Sequence, residues 1–251
     1  MNENVFTVNG LKKRYKKAFA LNGVDMEVKR GDIYGFVGEN GAGKTTLIRI
    51  LAGLATQTEG ELSLFGKSNP TQLVRERRRI GGMVEAPVFF PDMTAMDNME
   101  IIRLQKAIPD KNCIQDALQL VGLTETGKKR VKNFSFGMKQ RLGLAMALMG
   151  EPEFLVFDEP FNGLDRTNII EFREALKRLN REQGTTILLS SHTLSELYQI
   201  ATCYGFLHKG KILEQISADA LAEKCKEYES GSYGFEKYYM KLIISEKKTR
   251  K

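Results

Sequence analysis

Apolar and polar residues alternate over positions 4–9 (NVFTVN) and 24–28 (VDMEV), the two-residue period of strands buried on one face. Residues 33–37 (IYGFV) are instead an unbroken apolar run ending at Gly38. Residues 44–54 (KTTLIRILAGL) change to the three-to-four spacing of a helix, closed by glycine and a polar turn. Alternation returns at 61–65 (ELSLF), so the first part predicts a small antiparallel sheet beside a strand–loop–helix unit. From about Pro87 to Gly150 the spacing is helical, over 95–107, 112–121 and 137–149. Strand-like runs resume at 154–157 (FLVF) and 186–189 (TILL), joined by a helix predicted over 168–182, and 204–208 with 211–213 predicts a hairpin across Lys209 and Gly210. Apolar strands joined by a helix belong to a parallel sheet covered by helices. The fold class expected is therefore α/β, with an N-terminal antiparallel β subdomain and an inserted α-helical subdomain. The boundaries follow: residues 1–85 and 151–216 form the core, 86–150 the helical insert and 217–251 a tail that is helical, then Gly/Ser/Tyr-rich, then basic.

Composition narrows the setting. Apolar residues are 42% of the 251, enough for a substantial core and too many for a disordered chain. Lys and Arg number 38 against 31 Asp and Glu, a balance that suits polyanions without choosing among nucleotide, nucleic acid and anionic membrane. The basic runs at 12–17, 75–79 and 128–132 read as solvated faces. Cys113, Cys203 and Cys225 are scattered with no metal spacing, which fits a reduced, cytoplasmic setting. The N-terminal residues lack the apolar stretch of a signal peptide, and no window of about 18 apolar residues is long enough to span a bilayer.

The chemistry starts at residues 38–46 (GENGAGKTT), which fit G-x-x-x-x-G-K-[ST] between a strand and a helix. Gly38, Gly41 and Gly43 let the backbone bend so that the amides of Glu39, Asn40, Ala42 and their neighbours point at phosphate oxygens, and the helix that follows adds its positive end. Lys44 supplies a point charge for the outer phosphates, the Thr45 hydroxyl suits Mg2+, and Thr46 continues the cradle. The ligand expected is ATP with Mg2+. An acidic partner motif is expected at the end of a buried strand, and 154–159 (FLVFDE) provides it. Asp158 would reach the metal through water, and Glu159 beside it is placed to take a proton from the attacking water.

Residues 134–141 (FSFGMKQR) resemble the signature motif of ABC ATPases, commonly LSGGQ followed by a basic residue. Other marks of that family stand in order. Tyr15 matches the aromatic that stacks on adenine, although in KKRYKK it also reads as a surface aromatic. Glu85 occupies the position of the Q-loop glutamine, residues 162–165 (NGLD) match the D-loop, and His192 in SSHTLSEL matches the switch histidine. The resemblance covers nearly the whole chain, from Phe6 to about Leu213. It implies a P-loop NTPase core of the ABC ATPase type that works as a head-to-tail homodimer. ATP at one P-loop is then capped by Ser135 and Gly137 of the opposite subunit, with Asp165 at the interface and His192 sensing the γ-phosphate.

Two positions depart from the common pattern. Phe136, Met138 and Lys139 alter the signature while keeping Ser135 and Gly137. Glu85 replaces glutamine, and an ionised carboxylate only accepts hydrogen bonds, so its charge near ATP calls for a raised proton affinity or a closer metal contact. Both departures, with 80–99 (IGGMVEAPVFFPDMTAMDNM), are similar to the ATP-binding subunits of bacitracin-resistance and lantibiotic-immunity transporters. That resemblance implies a separate integral membrane permease, contacted near residues 86–105, where Pro87, Phe89, Phe90 and Pro91 are apolar and turn-rich. It also implies peripheral attachment at the cytoplasmic face of the membrane and export of a peptide antibiotic. The alternatives are an ABC exporter for a different substrate and a soluble ABC ATPase acting on DNA or ribosomes. Such proteins usually carry fused domains, a coiled-coil insert or zinc fingers, so no nucleic-acid partner is expected.

Overall fold

Three strands with every residue buried form the centre of the protein in the computed structural model, which describes residues 4–85, 87–228 and 232–249. They are β3 (Ile33–Gly38), β6 (Phe154–Asp158) and β7 (Thr186–Ser191). Strand β1 (Asn4–Tyr15) forms an antiparallel hairpin with β2 (Ala18–Lys29), and β4 (Glu59–Leu64) pairs on the other side of β1. A six-stranded sheet runs β5 (Ile80–Met83), β6, β7, β3, β8 (Cys203–His208), β9 (Lys211–Ser217). All its pairings are parallel except β8 with β9, the expected hairpin. The structure is thus an α/β fold with a separate antiparallel sheet.

Helix α1 (Lys44–Leu51) follows β3, and α2 (Pro70–Glu76) leads into β5. Helices α3 (Ala95–Gln105), α4 (Asn112–Leu120) and α5 (Phe136–Leu148) lie between β5 and β6. Helix α6 (Arg166–Gln183) connects β6 to β7, α7 (Leu194–Tyr198) follows β7, and α8 (Ala218–Cys225) and α9 (Ser232–Thr249) end the described chain. Leu47, Ile48 and Ile50 of α1 fill one core with Phe6, Leu21 and Phe36. A second core joins Phe157, Phe172 and Leu176 to the helices of 95–148. Fully burying each such side chain is worth about 1.5–3 kcal/mol, and Phe172 also meets Phe157 and Phe161 edge-on.

Helices α2 and α9 and strand β5 lie where the apolar pattern predicts no element. Helix α9 forms over the Tyr-rich tail because Phe235, Tyr238 and Tyr239 pack around Phe206 of β8. Among the described residues no helix is long and apolar enough to cross a membrane.

Candidate nucleotide site

The site begins where β3 stops and α1 starts. Gly43, at the helix N-cap, has φ 115, and a Cβ there would lie 2.5 Å from the Ala20 carbonyl oxygen on β2. Only glycine fits this close approach. The turn is tied down by Ala42 N–H to the Glu39 carbonyl (3.1 Å) and by Gly210 N–H to the Ala42 carbonyl (2.9 Å). Glu39, Asn40 and Gly41 are exposed, and Thr45 and Thr46 are half-buried in the first turn of α1. That turn's amides have no intrahelical acceptor and the helix dipole is positive there, the combination that binds phosphate.

Lys44 is 5% exposed. Its ammonium donates to the carbonyls of Gly38 (2.5 Å) and Glu39 (3.3 Å) and stands 3.0 Å from Glu159 Oε1. Asp158 ends β6, buried, with Oδ1 accepting from the Ser190 hydroxyl at 2.6 Å. Glu159 follows in the left-handed conformation (φ 51), and its N–H donates to the same Ser190 oxygen at 2.9 Å. The second Glu159 oxygen is 2.8 Å from His192 Nδ1 and also faces the His192 N–H at 3.3 Å. Glu196 stands behind this pair. Burial pushes its carboxyl up, the Ser191 hydroxyl and His192 oppose that, and the Glu159 charge adds to it. The ends of β3, β6 and β7 therefore bring Lys44, Asp158, Glu159 and His192 together. Thr45 and Asp158 supply hard oxygen donors, the kind Mg2+ takes alongside phosphate oxygens.

The other expected residues lie on other elements. Ser135 is exposed and caps α5, its hydroxyl accepting from Met138 N–H at 3.2 Å. Gly137 is buried against Asn168 of α6, and Asp165 caps α6 through Asn168 N–H (2.8 Å). The bonds from Asn168 hold the Asp165 carboxyl below its usual range. Tyr15 lies at the end of β1, 45% exposed, with Lys13 Nζ 4.9 Å from its ring centre.

Glu85 lines a cleft of about 320 Å³ with Asp158, Glu159, Phe136 and Gln140. Its charge is compensated by an ion pair with Arg49 of α1, a partner that the sequence reading did not supply. Pro87, Phe89 and Pro91 line a groove of about 260 Å³ with Val131 and Phe136, and Val88 and Phe90 beside it are exposed. Ala86, the first residue of the expected permease contact, lies outside the described residues. Sequence reasoning also passed over Ser190, although a polar pair ending the apolar run TILLSS was the available signal.

A parallel sheet whose strand ends carry a P-loop lysine, a buried aspartate, a glutamate and a histidine defines a P-loop ATPase. The comparisons make this specific. The ABC transporter family profile matches residues 21–162. The bacitracin transport ATP-binding protein BcrA of Bacillus licheniformis is 43% identical over 224 residues, covering 89% of this chain and 73% of that protein. The lantibiotic transport ATP-binding protein SrtF of Streptococcus pyogenes is 38% identical over 241 residues, covering 96% and 98%. A solved ATP-binding subunit of an ABC transporter superposes with TM-score 0.82 at 25% identity over 95% of this chain and 99% of that one. The dimeric cassette MJ0796 bound to ADP and Pi gives TM-score 0.77 at 24% identity over 85% and 98%, a likeness of fold. The chain belongs to the ABC transporter family, as an ATP-binding and ATP-hydrolysing subunit.

Proposed function

We propose that this chain drives a separate membrane permease that exports a peptide antibiotic, and that it does so as a head-to-tail pair. The observation that carries the hydrolytic step of this reading is the position of Glu159, one oxygen 3.0 Å from Lys44 Nζ and the other 2.8 Å from His192 Nδ1. A carboxylate held between a phosphate-binding lysine and a histidine is placed to orient a water and accept its proton. Lys44 neutralises charge on the outer phosphates, and the P-loop amides orient them. Thr45 and Asp158 would hold Mg2+, which would supply positive charge to offset that of the phosphates. Tyr15, exposed at the end of β1, offers a ring face to adenine.

Ser135, Gly137 and Asp165 complete the opposite subunit's site in this reading. The exposure of Ser135 at the N-terminus of the 13-residue α5 supports it, since that end attracts the γ-phosphate. The apolar groove at Pro87 and Phe89 takes a cytoplasmic segment of the permease, which attaches the chain to the cytoplasmic face of the membrane. The similarity to BcrA and SrtF supports bacitracin or a lantibiotic as the class of cargo.

One experiment tests the base assignment and the cargo class together. A strain lacking the chain is complemented with the wild type or with Glu159→Gln, and its sensitivity to bacitracin and lantibiotics is measured beside the purified ATPase rate. Glu159→Gln is expected to bind ATP, to turn it over at least ~100-fold more slowly, and to leave the strain sensitive. Near-normal turnover would sink the base assignment, and unchanged sensitivity on deletion would sink the cargo class.

A further inference from the structure

We infer that Ser190 is a positioning residue that sets the metal-binding aspartate and the base with a single hydroxyl. Its role rests on the reading of Asp158 and Glu159 given above. Strands β6 and β7 are parallel, and their register places Ser190 beside Asp158. The side chain is fully buried, directly after Ile187, Leu188 and Leu189 in a strand that also buries the hydroxyls of Thr186 and Ser191. A hydroxyl has one proton to give and lone pairs to receive. The proton goes to Asp158 Oδ1 at 2.6 Å, and the oxygen receives the Glu159 N–H at 2.9 Å.

Both bonds serve the site. The first engages one oxygen of Asp158 and leaves the other for metal. The second satisfies a half-buried amide of a residue at φ 51, a left-handed conformation that side chains other than glycine avoid. The bond is therefore one of the contacts that hold Glu159 where it reaches both Lys44 and His192. An aliphatic residue at 190 would fill the same space in the sheet. It would also leave Asp158 free to rotate and strand the Glu159 amide. Packing alone gives no reason for a serine here.

The test compares full-length Ser190→Ala and Ser190→Cys with Ser190→Thr. Three readouts are taken: steady-state ATPase kinetics, Mn2+ affinity of the complex with a non-hydrolysable ATP analogue by EPR, and thermal unfolding. Alanine and cysteine are expected to lower kcat at least ~10-fold, with the ATP KM within about twofold, and to weaken Mn2+ binding several-fold. Threonine, which keeps the hydroxyl, is expected to recover most of both. Wild-type kcat and Mn2+ affinity in folded Ser190→Ala or Ser190→Cys overturns the inference, as does a folded Ser190→Thr no better than alanine. If threonine does not fold for want of room, the alanine and cysteine arms still decide. The Mn2+ arm separates this inference from the base assignment, because Glu159→Gln tests proton transfer and leaves Ser190 and Asp158 in place.

Discussion

Replacing Gly137 by alanine tests whether the signature segment and the first turn of α6 are one mechanical unit. A Cβ at Gly137 would lie 2.4 Å from Asn168 Oδ1, 2.5 Å from its Cγ and 2.7 Å from its Nδ2. These are overlaps, so the Asn168 amide must swing away. Its Nδ2 now donates to Asp165 Oδ2 at 2.7 Å, and that bond breaks when it moves, while the backbone bond from Asn168 N–H to Asp165 remains. Overpacking costs about 1–3 kcal/mol and an exposed hydrogen bond about 0.5–1 kcal/mol. Alanine's better helix propensity returns up to about 1 kcal/mol. The expected net loss lies between about 0.5 and about 4 kcal/mol, and a mid-range loss of about 2 kcal/mol would lower Tm by roughly 4–8 °C for a chain of this size. Thermal and urea unfolding of Gly137→Ala, Asn168→Ala and the double variant complete the cycle. Trimming Asn168 removes the clash, so the double variant should be more stable than the sum of the singles by about 1 kcal/mol or more. A Gly137→Ala variant as stable as wild type, with strict additivity in the double, would refute the contact.

Glu153 gives a pH-dependent prediction. It pairs with Arg79 on one side and Arg30 on the other, and those bonds, opposed by burial, bring its carboxyl from 4.5 down to about 2. A lowered folded value means stability that is fully present above pH ~4.5 and lost as pH falls towards ~2. The side chain is 41% exposed, so a full linkage value near ~3 kcal/mol is reduced by solvent to about 1 kcal/mol. Unfolding midpoints from pH 5 to 2.5 should therefore fall less steeply in Glu153→Gln than in wild type, and parallel profiles would contradict the pairing. The Glu85–Arg49 pair is about half exposed on both sides, so a double-mutant cycle on denaturant unfolding should give a coupling of at most ~1 kcal/mol. A coupling above ~2 kcal/mol would mean that Glu85 is locked to α1 and not free to serve the cleft.

What the sequence disclosed depended on how far apart the determining residues lie. Strands β3, β6 and β7 and helices α1, α5 and α6 carry their signal in their own residues, as apolar runs or helical spacing closed by a cap. Strand β5 reads IGGM, and its two glycines leave little side-chain pattern to read. Helix α9 opens in a Gly/Ser/Tyr-rich stretch that gives little helical signal, and it is anchored because Phe235, Tyr238 and Tyr239 find Phe206 across the fold. The site divides in the same way. Lys44, Asp158 and Glu159 stood out because their residue types and spacing fit phosphate, metal and proton chemistry, and His192 stood out because SSHTLSEL matches the family's switch histidine.

Their supporting contacts obey no such restriction. Arg49 meets Glu85 across 36 positions of sequence, and many cations on α1 or elsewhere would have served to compensate that carboxylate. Of the two compensations weighed for Glu85, neither was an ion pair, because no local pattern links residues 49 and 85. Ser190 is different in kind. A hydroxyl inside a fully buried strand needs a partner, since an unpaired one costs roughly 1–3 kcal/mol. Parallel pairing puts the end of that strand beside the end of β6, where Asp158 stands. The residue was therefore open to inference from polarity, burial and strand order together, once the order β6–β7 was known. That order is set by the whole sheet, so the contact becomes visible only when the structure is in hand.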